Sequence, residues 1–415
     1  MKPSFIYGFR DWFVMDTKRI REDFPILQNS KGIVYFDNAC MSLKPRPVIQ
    51  KMLEYYEQYT ACAGRSNHRL SRRADEEYHE ARKSVQKLVN AKKHEEIVFT
   101  RNTTEGLNLV ANSLNLQKGD AVVTTDREHN SNLIPWQVLK ERKGIEHRIV
   151  KSKQDYTFDM EAFRKAMDKT VKLVSIVWTS NIDGYTLPVR EIIKTAHGFG
   201  ALVMLDGAQA VPHGKTDVRK LDVDFLAFSG HKMLGPTGTG VLYGKHDLLE
   251  KLPTFMVGGE TVEFTTYETH KFLKPPEKFE AGLQDYAGMI GLGEAARYLE
   301  KIGPESIESH EKALNKLISQ RISEIPNLQK VGVQNPELNG GIISFNLKGL
   351  KYHDVSLMLD KNHGVLIRSG QHCCHSWFRG QGIEGSARAS LYLYNTQEEA
   401  ELFAEAVRKI AKLGK

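Results

Sequence analysis

The stretch RSGQHCCHSW, residues 368–377, places Cys373 and Cys374 side by side between His372 and His375 in a chain with four cysteines. Three chemistries use such residues: a zinc quartet, a redox pair, or one reactive thiolate with a neighbour. Side chains of adjacent residues on an extended segment face opposite ways, so four consecutive residues do not readily wrap one tetrahedral ion. The other cysteines, Cys40 and Cys62, form no CxxC pair. A vicinal Cys373–Cys374 disulfide would be strained. The third chemistry is a thiolate nucleophile, which nearby positive charge favours; taken alone, a loop cysteine also has the ordinary reading of an inert thiol. Arg368, His372 and His375 could supply that charge.

A second set of candidates sits after short apolar runs. ALVMLD ends in Asp206, with Gln209 following; DFLAFS leads to Ser229, His231 and Lys232. EEIVFT leads to Thr103 and Thr104, AVVTT to His129 and Asn132, and KLVSIVW to Asn181. Taken singly, each has an ordinary reading: Asp206 a turn or cap, Thr103 an N-cap, Asn181 a turn residue, His129 structural, Lys232 solvated. GPTGTG lacks the lysine of a nucleotide phosphate loop. Taken in order, they are the parts of a pyridoxal phosphate site. A lysine can form a Schiff base, a carboxylate can hold the pyridine nitrogen protonated, and hydroxyls with free N–H groups at a helix N-terminus can hold a phosphate.

The elements that must position these residues alternate. Strands are expected at 95–100, 120–125, 172–178, 201–206, 224–229 and 240–244. Helices are expected at 103–114, 131–142 and 188–198. Apolar β-branched strands alternating with helices imply a mostly parallel sheet covered on both faces, with ligands beyond the strands' carboxyl ends. After about residue 275 the pattern changes to helices near 284–302 and 305–323, strands at 340–347, 364–370 and 387–394, and helices near 352–361 and 396–412. The fold class is therefore α/β, with a smaller α+β domain at the C-terminal end. The linker LKPPEK (273–278) marks a boundary, because its two prolines block helix.

Composition narrows the setting. Charged residues make up 26% of the chain and the net charge is +7, with the two signs interspersed rather than patched, which argues against nucleic acid as partner. Four cysteines in 415 residues do not form a disulfide scaffold, so a reducing, cytoplasmic compartment is expected. MKPSFIYGFRDWFVM carries charges and no long apolar run, so neither a signal peptide nor a membrane span is read there. Met15 offers an alternative start, which leaves residues 1–14 as an extension without an assigned role.

LDGAQA, FSGHKMLGPTGTGVLYG, FTRNTTEGLNLVA, EHNSNLIPW and RASLYLYNT together resemble the class V, fold-type I pyridoxal phosphate enzymes, and among them the SUF-type (group II) cysteine desulfurases. The resemblance runs from about residue 16 to the C-terminus. It implies a large cofactor domain over 30–280 with a mostly parallel seven-stranded sheet, and a small α+β domain from 1–29 and 281–415. It implies Lys232 as the Schiff-base lysine, Asp206 on the pyridinium nitrogen, Gln209 on the phenolic oxygen, and His129 stacked on the ring and available for acid/base work. Thr103, Thr104, Ser229 and His231 would hold the phosphate. Asn181 and Arg388 would hold the substrate carboxylate, a task that suits the planar guanidinium fork. His68 and Arg368 fall at positions where the family has substrate-site residues, and Cys373 matches the nucleophile of the RxGxHC pattern.

The implied activity is removal of sulfur from L-cysteine, giving L-alanine and a persulfide on Cys373 that is passed to an acceptor protein for iron–sulfur cluster assembly. The implied assembly is a homodimer. Selenocysteine lyase or another cysteine or cystine lyase is the alternative on the same fold. A sulfur carrier without catalysis is disfavoured by the intact Lys232, Asp206, His129 and Arg388. One position departs from the pattern: many members carry Thr after FEAG, reaching the other subunit's phosphate, and this chain has Leu283. Thr261 is a candidate substitute hydroxyl.

Overall fold

The computed structural model describes residues 15–30 and 32–414; the expectations for residues 1–14 lie outside them. Seven strands form the main sheet: β1 Ile97–Thr100, β2 Ala121–Thr125, β3 Glu146–Val150, β4 Val171–Val177, β5 Leu202–Asp206, β6 Phe225–Ser229 and β7 Gly240–Gly244. Their spatial order is β1-β7-β6-β5-β4-β2-β3. All pairings are parallel except those of β7, which runs antiparallel to both β6 and β1.

The period of two along each strand divides the apolar residues between two cores. Ile97 and Phe99 join one core while Val98 joins the other; Ala121 and Val123 divide from Val122 in the same way. Burial on both faces is why these strands read as continuous apolar runs rather than alternating ones. Each fully buried Val, Leu or Ile contributes about 1.5–3 kcal/mol relative to exposure. β3 leaves no such run in the sequence, because EHRIV carries charges on its exposed face at the sheet edge.

A second sheet contains β8 Leu328–Val331, β9 Ile342–Leu347, β10 Arg368–Gly370 and β11 Ser386–Ser390, all antiparallel, in the order β8-β9-β11-β10. Its apolar face packs with residues from helices Pro304–Ser323, Tyr352–His363 and Gln397–Ala411 in a separate core, which also takes in Val34 and Phe36. Two expected strands change here. Residues 364–370 divide: Val365–Leu366 pairs with Val34–Tyr35, and only Arg368–Gly370 joins β11. β11 ends at Ser390, and the rest of RASLYLYNT turns inward, where Tyr392 and Tyr394 are fully buried.

That inward turn ties the two ends of the chain together. The Tyr394 hydroxyl bonds to Asn38 Oδ1, and Asn38 Nδ2 donates to the Ser390 carbonyl at 2.7 Å. Helix Tyr286–Ile302 lies beyond residue 280 but packs on helices Arg46–Gln58 and Arg69–Val89, sharing their core with the main sheet. Within FEAG, Glu280 is structural. Its carboxylate takes two bonds from Arg82, at 2.7 and 2.9 Å, and one from the backbone of Phe99 at 2.6 Å, all buried.

Candidate active site

The carboxyl ends of the parallel strands deliver side chains to one place. One cavity is lined by Thr103, Thr104, His129, Asn181, Asp206, Gln209, Ser229, His231, Lys232, Arg368 and Arg388. Candidates spread over nearly 300 residues of sequence therefore converge. His68 does not line this cavity. It is exposed and caps helix Arg69–Val89, where its Nδ1 accepts from Ser71 N at 3.2 Å.

The phosphate end begins at helix Thr103–Ser113. Asn102 Oδ1 caps it by accepting from Glu105 N at 3.0 Å. The cap fits against β7 only because residue 240 is glycine: a Cβ there would meet the Asn102 backbone at 2.5 Å. Ser229 Oγ accepts from Thr103 N at 2.9 Å and lies 2.6 Å from Thr103 Oγ1. Thr104 Oγ1 lies 2.8 Å from Ser131 Oγ. Rotatable hydroxyls, clustered at the positive end of an 11-residue helix, suit an anion.

Asp206 and Lys232 line the same cavity and influence one another. Burial pushes the Asp206 carboxyl up, and the Lys232 charge opposes that. Burial holds the Lys232 amine below the usual lysine range, partly offset by Asp206 and reinforced by Arg388. A lysine so placed is easier to obtain as the neutral amine that carbonyl chemistry needs. His129 is pushed down to about 3 by burial and then by Lys232, so its ring is neutral; its Nδ1 accepts from Ser131 N at 3.1 Å. His231 is pushed down to about 4 by burial and by Lys232.

Among the buried groups with unsatisfied atoms, Gln209 and Arg388 line the cavity. Gln209 Nε2 donates to the Ala39 carbonyl at 2.7 Å, while its Oε1 lacks a partner. Arg388 donates from Nη1 to the Asn181 carbonyl at 2.9 Å, while Nε and Nη2 are unpartnered; Asp37 Oδ1 stands 3.5 Å from Nη2. Buried unpaired donors cost stability. A buried guanidinium edge without a hydrogen-bond partner, on a residue that lines the cavity, fits a carboxylate. The site therefore fits pyridoxal phosphate at one end and an amino-acid carboxylate at the other.

The HCCH quartet disperses. His372 Nε2 lies 2.9 Å from Ser386 Oγ, and His375 Nδ1 lies 2.8 Å from Asn130 Nδ2. Cys374 Sγ donates to Asn181 Oδ1 at 3.2 Å, and Cys373 Sγ lies 3.8 Å from Arg368 Nη2. Four side chains with four separate partners do not form a metal site. His372 is also not the source of positive charge expected of it: it is buried, and burial followed by Arg388 holds it well below the usual histidine range. Leu283 is exposed, and the Thr261 hydroxyl is engaged in its own loop, donating to the Gly258 carbonyl at 2.8 Å.

The aminotransferase class-V family model matches residues 34–403. The chain belongs to this family. Among its relatives, a probable cysteine desulfurase of Synechocystis sp. is 42% identical over 397 residues, 94% of each chain. A cysteine desulfurase of Haloferax volcanii is 38% identical over 95% of this chain and 97% of its own. Among solved structures, the apo cysteine desulfurase of Thermococcus onnurineus NA1 matches with TM-score 0.92 and 39% identity, covering 96% of this chain and 98% of that one.

Some residues of this class-V site carried no sequence signal. Asp37 and Cys40 belong to a loop far upstream, brought in by Asn38 and the C-terminal tyrosines. Glu128 reads as a mere neighbour of His129. It is buried, it accepts from Thr125 Oγ1 and Asn132 Nδ2 at 2.6 Å each, and burial pushes it up to about 8. It braces the turn that presents His129.

Proposed function

We propose that this protein is a cysteine desulfurase: L-cysteine and the Cys373 thiol give L-alanine and a Cys373 persulfide. The net reaction moves one sulfur atom and needs no external oxidant or reductant. The observation that carries the reading is the Cys373 thiol 3.8 Å from Arg368, whose guanidinium lines the cavity that also holds Lys232, Asp206 and the open edge of Arg388. The relatives named above, similar over nearly the whole length, carry the same activity in their names.

The cofactor is pyridoxal phosphate, which when bound supplies an electron sink that labilises bonds at the substrate's α and β carbons. The chain's own residues would act as follows. The Thr103, Thr104, Ser229 and His231 side chains would hold the phosphate, Asp206 the ring nitrogen, Gln209 the phenolic oxygen and Lys232 the carbonyl carbon. His129 would lie on the ring; with Nδ1 accepting from Ser131 N, the neutral ring carries its proton on Nε2 and would donate it there. Arg388 would take the substrate carboxylate on Nε and Nη2. The Asn181 amide, already engaged by Cys374 and His372, would leave one N–H for the same carboxylate. The Cys373 thiolate would attack the substrate's sulfur, forming an S–S bond as the Cβ–S bond breaks.

The finer setting is also proposed: a homodimer in the cytoplasm, a large unit over 30–280 and a small one over 1–29 and 281–415, and a scaffold protein that takes the sulfur for iron–sulfur clusters. His68 would reach substrate only where a second copy brings it there. No helix of the described residues is long and apolar enough to cross a membrane. The test measures alanine and sulfide from L-cysteine with reductant present, for wild type and Cys373→Ala. The variant should keep the visible band of bound cofactor and lose sulfur release. Full release from Cys373→Ala would remove the assignment of the nucleophile, and faster turnover of L-selenocysteine or L-cystine would shift the reading to the corresponding lyase.

A further inference from the structure

Cys374 is 1% exposed, and its Sγ donates to Asn181 Oδ1 at 3.2 Å. The same amide donates from Nδ2 to the His372 carbonyl at 2.7 Å. The Asn181 carbonyl accepts from Arg388 Nη1 at 2.9 Å. A single asparagine in the loop after β4 thus ties both neighbours of Cys373 to the arginine of the cavity.

The turn carrying Cys373 needs such ties. His372 and Cys373 have φ of 50° and 59°. This left-handed region is uncommon for residues other than glycine, with asparagine, aspartate and histidine entering it more readily than a cysteine does. Two consecutive residues held there relax unless both flanks are anchored. On one side the Cys373 carbonyl accepts from Asn130 N at 2.8 Å. On the other, Cys374 sinks among Ile182, Val331, Trp377 and Phe378. A thiol suits that place, because it is small and apolar yet carries one weak donor.

We propose that Cys374 is a positioning residue: a thiol that does not react but, through Asn181, fixes the Cys373 nucleophile relative to the Arg388 carboxylate site. The proposal rests on Cys373 being the sulfur acceptor. Burial pushes the Cys374 thiol up to about 12, so at neutral pH it keeps the proton it donates. Alanine at this position leaves Asn181 Oδ1 without that partner and frees the amide to turn. Serine keeps a donor and restores the link.

The test compares wild type, Cys374→Ala and Cys374→Ser in three readouts. These are kcat and KM for L-cysteine, the rate of Cys373 alkylation by iodoacetamide with the site identified by mass spectrometry, and the visible band of bound pyridoxal phosphate. Cys374→Ala should keep the band, lower kcat about tenfold, raise KM a few-fold and change the alkylation rate at least about threefold. Cys374→Ser should recover most of each loss. Wild-type kinetics and alkylation in Cys374→Ala overturn the proposal. So does a Cys374→Ser variant that holds the cofactor yet falls at least about tenfold below wild type in kcat, and this comparison with wild type stands even where the alanine variant fails to fold. Alkylation needs no turnover, so absence of alanine from wild-type enzyme would count against the desulfurase reading while leaving the positioning test readable.

Discussion

Arg368 Nη2 lies 3.8 Å from Cys373 Sγ, while the histidines on either side of the two cysteines face other partners. The charged side chain beside the Cys373 sulfur is therefore one guanidinium. At this spacing, with solvent screening at a half-exposed site, the attraction is about 1 kcal/mol. Arg368→Gln should slow alkylation of Cys373 about fivefold at pH 7, with Arg368→Lys between the two. His375→Ala should leave the rate within about twofold. Equal rates in wild type and Arg368→Gln would remove the guanidinium from the activation of the thiol.

Arg388 makes the second prediction. It is 1% exposed, Nη1 is held by the Asn181 carbonyl, and Nε and Nη2 are buried without a hydrogen bond, with Asp37 Oδ1 3.5 Å from Nη2. A charged hydrogen-bonding contact of this kind is worth about 1.5–3 kcal/mol. Arg388→Lys keeps the charge and loses the fork, so KM for L-cysteine should rise about 10- to 100-fold while the cofactor band stays. Steady-state kinetics beside an absorption spectrum check this. A lost band with unchanged KM would place Arg388 at the cofactor instead.

How much of this was legible follows from how each residue is placed. Asp206, Ser229 and Asn181 lie at or just after ends of buried strands, and a strand with both faces covered leaves a plain apolar run in the sequence. The ligands after such runs could therefore be named and expected to converge. Asp37 and Cys40 are different. Their loop reaches the cavity through Asn38, Ser390 and Tyr394, contacts that span more than 350 residues and have no periodicity. The order HCCH was not expected to wrap one ion, and the positive φ of His372 and Cys373 turns each side chain toward a different partner. Local strain of that kind is set by tertiary anchors and cannot be read from spacing. The alternation in RASLYLYNT promised a longer strand, yet burial of Tyr392 and Tyr394 turned it inward after Ser390.

The neutral histidines predict a pH effect of definite sign. His129 is pushed down to about 3 from its ordinary 6.5. Between these values the unfolded chain binds a proton at this residue that the folded chain does not, so stability is present above about pH 6.5 and falls on acidification toward pH 3. Each unit lost in that window costs at most about 1.4 kcal/mol, and less here because the ring borders a cavity. His129→Gln removes this one titration. Measured by urea unfolding of cofactor-free protein at pH 7, 6 and 5, the variant should lose stability less steeply than wild type, by up to about 1 kcal/mol per unit. Parallel slopes would show that the ring charges freely in the folded protein.

The last prediction concerns what holds the second sheet to the site. Arg127 and Asp183 form an ion pair with both side chains 1% exposed. Asp183 Oδ2 also accepts from Val333 N at 2.8 Å, just past β8, and Arg127 Nη1 donates to the Tyr156 carbonyl at 2.8 Å. The pair thus joins the loop before His129, the loop after Asn181 and the edge of the second sheet. Removing one partner strands a buried charge, which costs about 3–5 kcal/mol. Asp183→Asn and Arg127→Met should each lower stability by about that much, read from urea midpoints at constant slope. The double variant should lose less than the two single losses added, because neither charge is then left unpaired. The amide oxygen introduced by Asp183→Asn would still accept from Val333 N, so the cofactor band should persist in that single variant below its unfolding transition. Strict additivity would mean that the two side chains act separately and that the second sheet is held by its apolar contacts alone.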